Sequence, residues 1–317
     1  MRFALSREQY DFAASIDAAL GAADVPGVVR AWAKGDTTRG RGLWKSLADL
    51  GVTALAVPEE VGGIGAHPVD LVVACEALGR WCVPGPVTES LAVAPVLLAG
   101  DRRNAVLAAG DVVATVAMPP GVPRAVDAHF ADLILLTDDN AVRAAKPGSE
   151  FESVDPARKL FDVSASGPSQ SADVARAYEF GVLATAAQLV GAAQTMLDKS
   201  VAYAKQRSQF GHVIGGYQAI KHKLADVHIA VDLARPLVYG AALSLAADSP
   251  HTERDVSAAK SAASEAALLS ARAALQTHGA IGYTAEHDLS QWLLRVQALY
   301  SAWGDPTSHR NRVLEML

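Results

Sequence analysis

Two stretches of the chain carry residue types suited to gripping a phosphorylated ligand. The first opens as Arg207-Ser-Gln-Phe-Gly211 and runs on into the amphipathic segment Gln218–Asp226. A guanidinium offers a planar fork of donors that matches oxyanion geometry and that a lysine does not reproduce. Gly211 permits a tight turn directly after it. The second is a polar patch, Gln276-Thr-His-Gly-Ala-Ile-Gly-Tyr283, rich in small residues. Histidines His212, His222, His228, His278, His287 and His309 raise the question of a metal. None forms a His-x-x-x-His pair sharing a face with an acid, so no metal site is expected. His278 and His287 flank the second patch and are read as packed or solvated. Gly62-Gly-Ile-Gly65 follows no Val-rich strand at the right spacing and is read as a turn, not a dinucleotide loop.

The elements that must hold these residues are mostly helical. Ser6 with Gln9 three positions on has the form of a capping box opening a helix over 6–23. Further helices are expected over 40–50, ending at Gly51, over 68–80, and from Pro86 through Leu98. The character changes near Asp111. Val112–Ala117 and Leu133–Thr137 are short apolar runs bounded by Pro, Gly and Asp, which predicts strands, and Phe161–Val163 is a third candidate. The Ser/Gly/Pro-rich stretch 164–171 reads as a linker. Long helices are then expected over 174–206, over 217–247 and over 255–278. Pro236 should kink or divide the second of these. In the third, Ala262, Ala266, Leu269, Ala273 and Gln276 recur at helical spacing, so small residues should allow close packing in a bundle.

Composition narrows the function classes. With 28 Lys and Arg against 34 Asp and Glu, the net charge of −6 argues against a nucleic-acid surface. Two cysteines, Cys75 and Cys82, in 317 residues suit a reducing compartment, with no structural disulfide expected. The N-terminus lacks the apolar core of a signal peptide, and no uncharged apolar run of about 18 residues suggests a membrane span. A cytoplasmic location is expected.

The order helices, small sheet, helices closely resembles the acyl-CoA dehydrogenase family, almost end to end. The match is carried by Gly51–Gly65 with Glu76-Ala-Leu-Gly79, by Val154-Asp-Pro-Ala-Arg158, and most strongly by Arg207–Asp226 with Gln276–Leu289. The resemblance implies a mostly α fold with a small β middle domain. Its parts would be an N-terminal helical domain over 1–108, a reduced β domain over 109–170 and a C-terminal four-helix bundle over 171–317. It also implies FAD. Arg207, Gln209, Phe210, Gln276, Gly279 and Ala280 would contact the ADP half, across a subunit boundary. The family pattern has Gly where Ala280 stands.

The family's chemistry needs a carboxylate that removes the acyl α-proton while the flavin accepts a hydride from the β-carbon. At the commoner base position, within Tyr300–Thr307, this sequence has Trp303, which cannot accept a proton. At the alternative position it has Gly181. Glu179 lies two residues from Gly181, an offset that turns a helical side chain by about 200°, and it is read as a solvated acid. Asp305 is two residues past Trp303 and precedes Pro306. The family's flavin-ring loop carries Ser and Thr donors, whereas Ala117–Arg124 has none. No catalytic residue of its own is therefore expected.

Among family members the resemblance is to the short, base-lacking subunit of actinobacterial heterotetrameric, sterol-catabolic enzymes. That implies a full-length partner subunit supplying the Glu and the ring pocket, and electron-transfer flavoprotein as acceptor. The substrate would be an acyl-CoA, with a steroid-derived acyl group as one candidate. Two alternatives remain at this point: a self-sufficient homotetramer using Asp305 or Glu179, and a non-catalytic scaffold or CoA-thioester-binding chain.

Overall fold

The computed structural model describes residues 4–317. The chain opens on α1 (Arg7–Ala22), where the Ser6 hydroxyl accepts from the Gln9 amide and the Gln9 side chain accepts from the Ser6 amide, completing the capping box. Then come α2 (Val25–Ala33), α3 (Thr38–Asp49) and α4 (Pro68–Arg80). The helix after Pro86 begins as a π-helical segment, Glu89–Val93, and ends as α5 (Ala94–Leu97). A short α6 (Arg103–Ala108) completes the helices of this part.

The middle part is a six-stranded sheet of β1 (Ala114–Ala117), β2 (Ala125–Val126), β3 (Leu133–Asp138), β4 (Ala141–Phe151), β5 (Leu160–Ala165) and β6 (Gln170–Ser171). The strands run in the order β1-β3-β4-β5-β2, with β6 on the flank of β4. Only β1 and β3 pair in parallel. The supposed linker 164–171 is thus partly sheet: its first two residues finish β5 and its last two form β6.

Three long helices follow: α7 (Val174–Gln206), α8 (Gln218–Ala246) and α9 (Thr252–His278). Between α7 and α8 stands a small hairpin of β7 (Ser208–Gln209) and β8 (His212–Val213), and the chain ends on α10 (Leu289–Ser301) and α11 (Pro306–Glu315). Pro236 does not divide its helix, since α8 is continuous from Gln218 to Ala246. The stripe expected to be the packing face of α9 holds in part. Ala266 and Ala273 are buried as expected and Leu269 and Gln276 are exposed, while the buried face also takes in Val256, Ala259, Ala263, Ala267, Ser270 and Ala274. Where α4 and α7 touch, glycine is needed on both. A Cβ at Gly191 would lie 2.0 Å from the Glu76 carbonyl oxygen, and one at Gly79 would lie 2.2 Å from that of Gln188. Backbone contact of α4 and α7 locks the first helical part to the bundle.

Contrary to the expectation from sequence, two helices are long and apolar enough to cross a membrane, α7 and α8. Packing accounts for α7, in which 89% of the most apolar window is buried inside the fold; for α8 the figure is 39%. Ile229, Leu233 and Leu237 of α8 recur every four residues and are 56%, 67% and 46% exposed. They form one apolar stripe on the outside of the bundle. Cys75 and Cys82 are buried and free.

Candidate functional site

Arg207, Gln209, Phe210, Gln276 and Gly279 come together around one cleft of about 520 Å³. The end of α7, the β7–β8 hairpin and the end of α9 build it. Arg207 caps α7 through its amide, which donates to the Tyr203 carbonyl (2.9 Å), and its own carbonyl accepts from the Ile214 amide (2.8 Å). The backbone is therefore fixed while the guanidinium stays exposed. Phe210 and Gly211 form the two-residue hairpin turn with φ of +53° and +83°, the left-handed pair that such turns require. A phenylalanine there is strained, and this one is 90% exposed. Strain and an exposed ring together indicate a surface that another molecule covers.

Across the cleft, Gly279 ends α9 at φ +68°, ψ −147°, a region open essentially to glycine alone. Gln276 accepts a hydrogen bond from the Lys223 ammonium. Ala280 is exposed and does not line the cleft with the others. His278 is packed, as expected: its Nδ1 bonds the Ala274 carbonyl (2.9 Å) and its ring stacks on Tyr203 at 4.4 Å. Burial lowers its pKa, so the imidazole is neutral near pH 7. The sequence reading missed Tyr203 and Lys223. Tyr203 lies one turn before Arg207, a spacing that places both on one face of α7. No group of three or more His, Cys, Asp or Glu side chains suited to a metal occurs among the described residues.

The second region centres on Trp303, which is buried at 1% exposure. Its indole N–H donates to Glu89 Oε1 (3.2 Å), and its carbonyl accepts from His309 Nε2 (2.8 Å). Burial pulls the His309 pKa down to about 4, so the ring is neutral. Gly181 and Trp303, which the resemblance puts at the two base positions, meet in the fold: a Cβ on Gly181 would lie 2.4 Å from the Trp303 ring. The indole fills the space beside Gly181.

Neither alternative acid reaches that space. Asp305 is the N-cap of α11, accepting from the Ser308 amide at 2.8 Å, and this bond holds its carboxyl below the usual range. Glu179 was expected to be solvated; instead it is half-buried and accepts from Arg312 at 2.6 Å. Burial raises its pKa against the pull of that guanidinium. Because Arg312 also binds Glu253, Glu179 faces α9 and α11 and not the indole. Asp305→Asn, which keeps the cap because Asn caps as well as Asp, is therefore expected to leave any steady-state turnover to which this chain contributes unchanged. A collapse of turnover would give this chain a base of its own.

Beside Trp303 a cleft of about 340 Å³ opens between the 121–124 loop, residues 152–160 and the end of α10. Met118 and Val122 exchange amide–carbonyl bonds of 2.6 and 2.8 Å, so the Val122 amide and carbonyl are spent on the loop's own turn. Arg124 lies over the Phe151 ring at 3.9 Å and near Asp162 at 3.5 Å. The side-chain donors lining this cleft are Arg124 of the loop and Ser153, Arg158, Gln297 and Ser301 from elsewhere. The residues present thus fit the ADP half of FAD, and the loop offers the isoalloxazine no comparable cradle.

Known proteins place this geometry. The family model for the acyl-CoA dehydrogenase N-terminal domain matches residues 6–103, and that for the C-terminal domain matches residues 174–317. The chain belongs to the acyl-CoA dehydrogenase family. FAD is the cofactor of that family, and its members are oxidoreductases acting on acyl-CoA. Acyl-CoA dehydrogenase IpdE2 of Mycolicibacterium smegmatis is 32% identical over 91% of this chain and 92% of its own length. IpdE2 of Mycobacterium tuberculosis is 31% identical over 85% of each. Among solved structures, the ChsE4–ChsE5 complex from Mycobacterium tuberculosis contains a chain of the same fold, with a TM-score of 0.84 at 22% identity, covering 99% of this chain and 98% of that one.

Proposed function

We propose that this chain is the base-lacking subunit of a heteromeric acyl-CoA dehydrogenase. It contributes the ADP-side contacts of each FAD, and an unlike, full-length family member contributes the catalytic Glu and the flavin-ring pocket. The observation that carries this reading is Trp303, buried against Gly181, the two residues that the resemblance puts at the family's two base positions. FAD, when bound, supplies the hydride acceptor. Arg207 offers its fork to the pyrophosphate, Gln276 and Gly279 face it across the cleft, and Phe210 covers the adenine side.

Three further observations support an unlike partner. The hairpin presents a strained, exposed Phe210. The Ile229–Leu233–Leu237 stripe leaves apolar surface outside the bundle, as association surfaces do. The solved relative of this fold in the ChsE4–ChsE5 complex is itself one of two differently named chains. A pure scaffold is disfavoured, since it has no use for a built pyrophosphate cleft. We further propose a bulky, steroid-derived acyl group, electron-transfer flavoprotein as acceptor, and a cytoplasmic site of action.

Flavin content tests the reading. Expressed alone, the chain should purify almost colourless. Co-expressed with its partner it should give a yellow complex holding one FAD per pair of unlike chains. Stoichiometric flavin on the lone chain, with acyl-CoA turnover, would establish the homotetramer instead.

A further inference from the structure

Trp303 is held far more firmly than an accidental substitution would need. Its φ of +59° is one that bulky side chains rarely adopt. Groups from three helical elements and the loop before β5 converge to keep it there. Glu89, on the π-helical segment and itself 2% exposed, accepts from the indole N–H. Arg158 approaches the same carboxylate oxygen at 3.9 Å. His309 of α11 holds the Trp303 carbonyl, and the Tyr178 hydroxyl reaches it at 3.4 Å.

The turn is fastened from below by Lys260 of α9, which is completely buried. Its three N–H groups are shared among four acceptors: the carbonyls of Gly304 (3.0 Å), Tyr300 (3.2 Å) and Leu299 (3.3 Å), and the Ser264 hydroxyl (3.0 Å). A buried cation is costly unless its donors are satisfied, and here the acceptors are the C-terminal carbonyls of α10 and the turn bearing the indole.

The walls are closed as well. Beside the indole, Thr88 and Thr185 hydroxyls meet at 3.1 Å, and the Gln188 amide donates to Thr88 at 2.8 Å. These three side chains zip the π-helical segment to α7, and all are at most 4% exposed. On the other side the indole borders the 340 Å³ cleft. Trp303 is thus a wall of that cleft, with its ring against Gly181 of α7.

We infer that Trp303 is a built plug: it occupies the chamber where an acyl α-carbon would have to stand, and it determines that this chain admits no acyl group of its own. This rests on the reading of one competent acyl site per unlike pair. Removing the indole leaves a chamber on the order of 150 Å³, the size that admits a benzene-like guest, joined to the neighbouring cleft. Trp303→Gly is the suitable truncation because glycine takes the left-handed φ freely. Trp303→Asn, which tolerates the same φ, serves if the glycine variant does not fold.

The test titrates the assembled complex with S-butyl-CoA, a thioether that cannot be desaturated, and the variant with indole. The count should rise from one S-butyl-CoA per unlike pair to two in Trp303→Gly. The variant alone should bind indole at millimolar concentration with a rise in melting temperature absent from the wild type. In the same series, Gly181→Ala should lower the melting temperature of the wild type, because its Cβ meets the ring, and should cost little beside Trp303→Gly. A count left unchanged by the substitution overturns the plug, with or without indole binding. Equal losses from Gly181→Ala in both backgrounds overturn it too. Two S-butyl-CoA per pair in the wild type would instead refute the functional reading itself.

Discussion

Arg207→Ala should weaken FAD retention by the unlike-chain complex roughly tenfold to a hundredfold while leaving assembly intact. The guanidinium is exposed at the cleft, and no side-chain hydrogen bond to it occurs among the described residues. Its donors are thus available to a ligand. The local fold depends on the Arg207 backbone, through the bonds to Tyr203 and Ile214, and truncation leaves these in place. A bidentate bond to a charged oxyanion contributes about 1.5–3 kcal/mol, which converts to the stated loss of affinity. Arg207→Lys should recover only part of it, because an ammonium keeps the charge and loses the fork. Equilibrium dialysis of FAD against the complex checks this, with the subunit ratio followed by gel filtration. Unchanged affinity would mean that Arg207 faces something other than the cofactor.

Features were legible in the sequence where the physics is local. The Ser6–Gln9 capping box needs only residues three apart, and the Arg207 and Gln276 patches announce themselves by type and spacing. Where expectation and structure part, a longer-range cause is visible. α2 carries Pro26-Gly27 near its start, a pair common in turns. Proline is in fact at home in a first turn, and Asp24 caps the Gly27 amide at 3.1 Å. β4 was hidden by Pro147, Gly148 and a run of polar residues, and its register shifts between Pro147 and Glu150. A bulge of that kind is where a strand tolerates proline. Pro236 lies in a helix that tertiary packing keeps continuous.

Glu89 gave a weaker signal, a lone acid in the apolar run Leu91–Leu98 and its approach. Its partner Trp303 is 214 residues away, so nothing local could join them. The convergence of Gly181 and Trp303 was invisible for the same reason. The resemblance points to two positions far apart in the chain, and the packing of α7 against the 302–305 turn brings Gly181 and Trp303 together.

The same long-range character governs the largest stability effect, at Arg295. This side chain of α10 is 4% exposed and donates to Asp155 Oδ2 at 2.5 Å and to the Val83 carbonyl at 2.8 Å. One guanidinium therefore ties the bundle to the sheet region and to the first helical part. Asp155 is equally buried at 3% and also accepts from the Ala157 amide at 2.9 Å. Arg295→Ala leaves that carboxylate in the interior without its counter-ion, a situation that costs about 3–5 kcal/mol. A marginally stable domain keeps little more than that in reserve. Exchanging both partners, Arg295→Met with Asp155→Leu, should restore most of the loss, since no charge is then stranded. Urea midpoints of wild type, single and double variants read this directly. A double variant no better than the single one would show that Arg295 acts through its volume and not its charge.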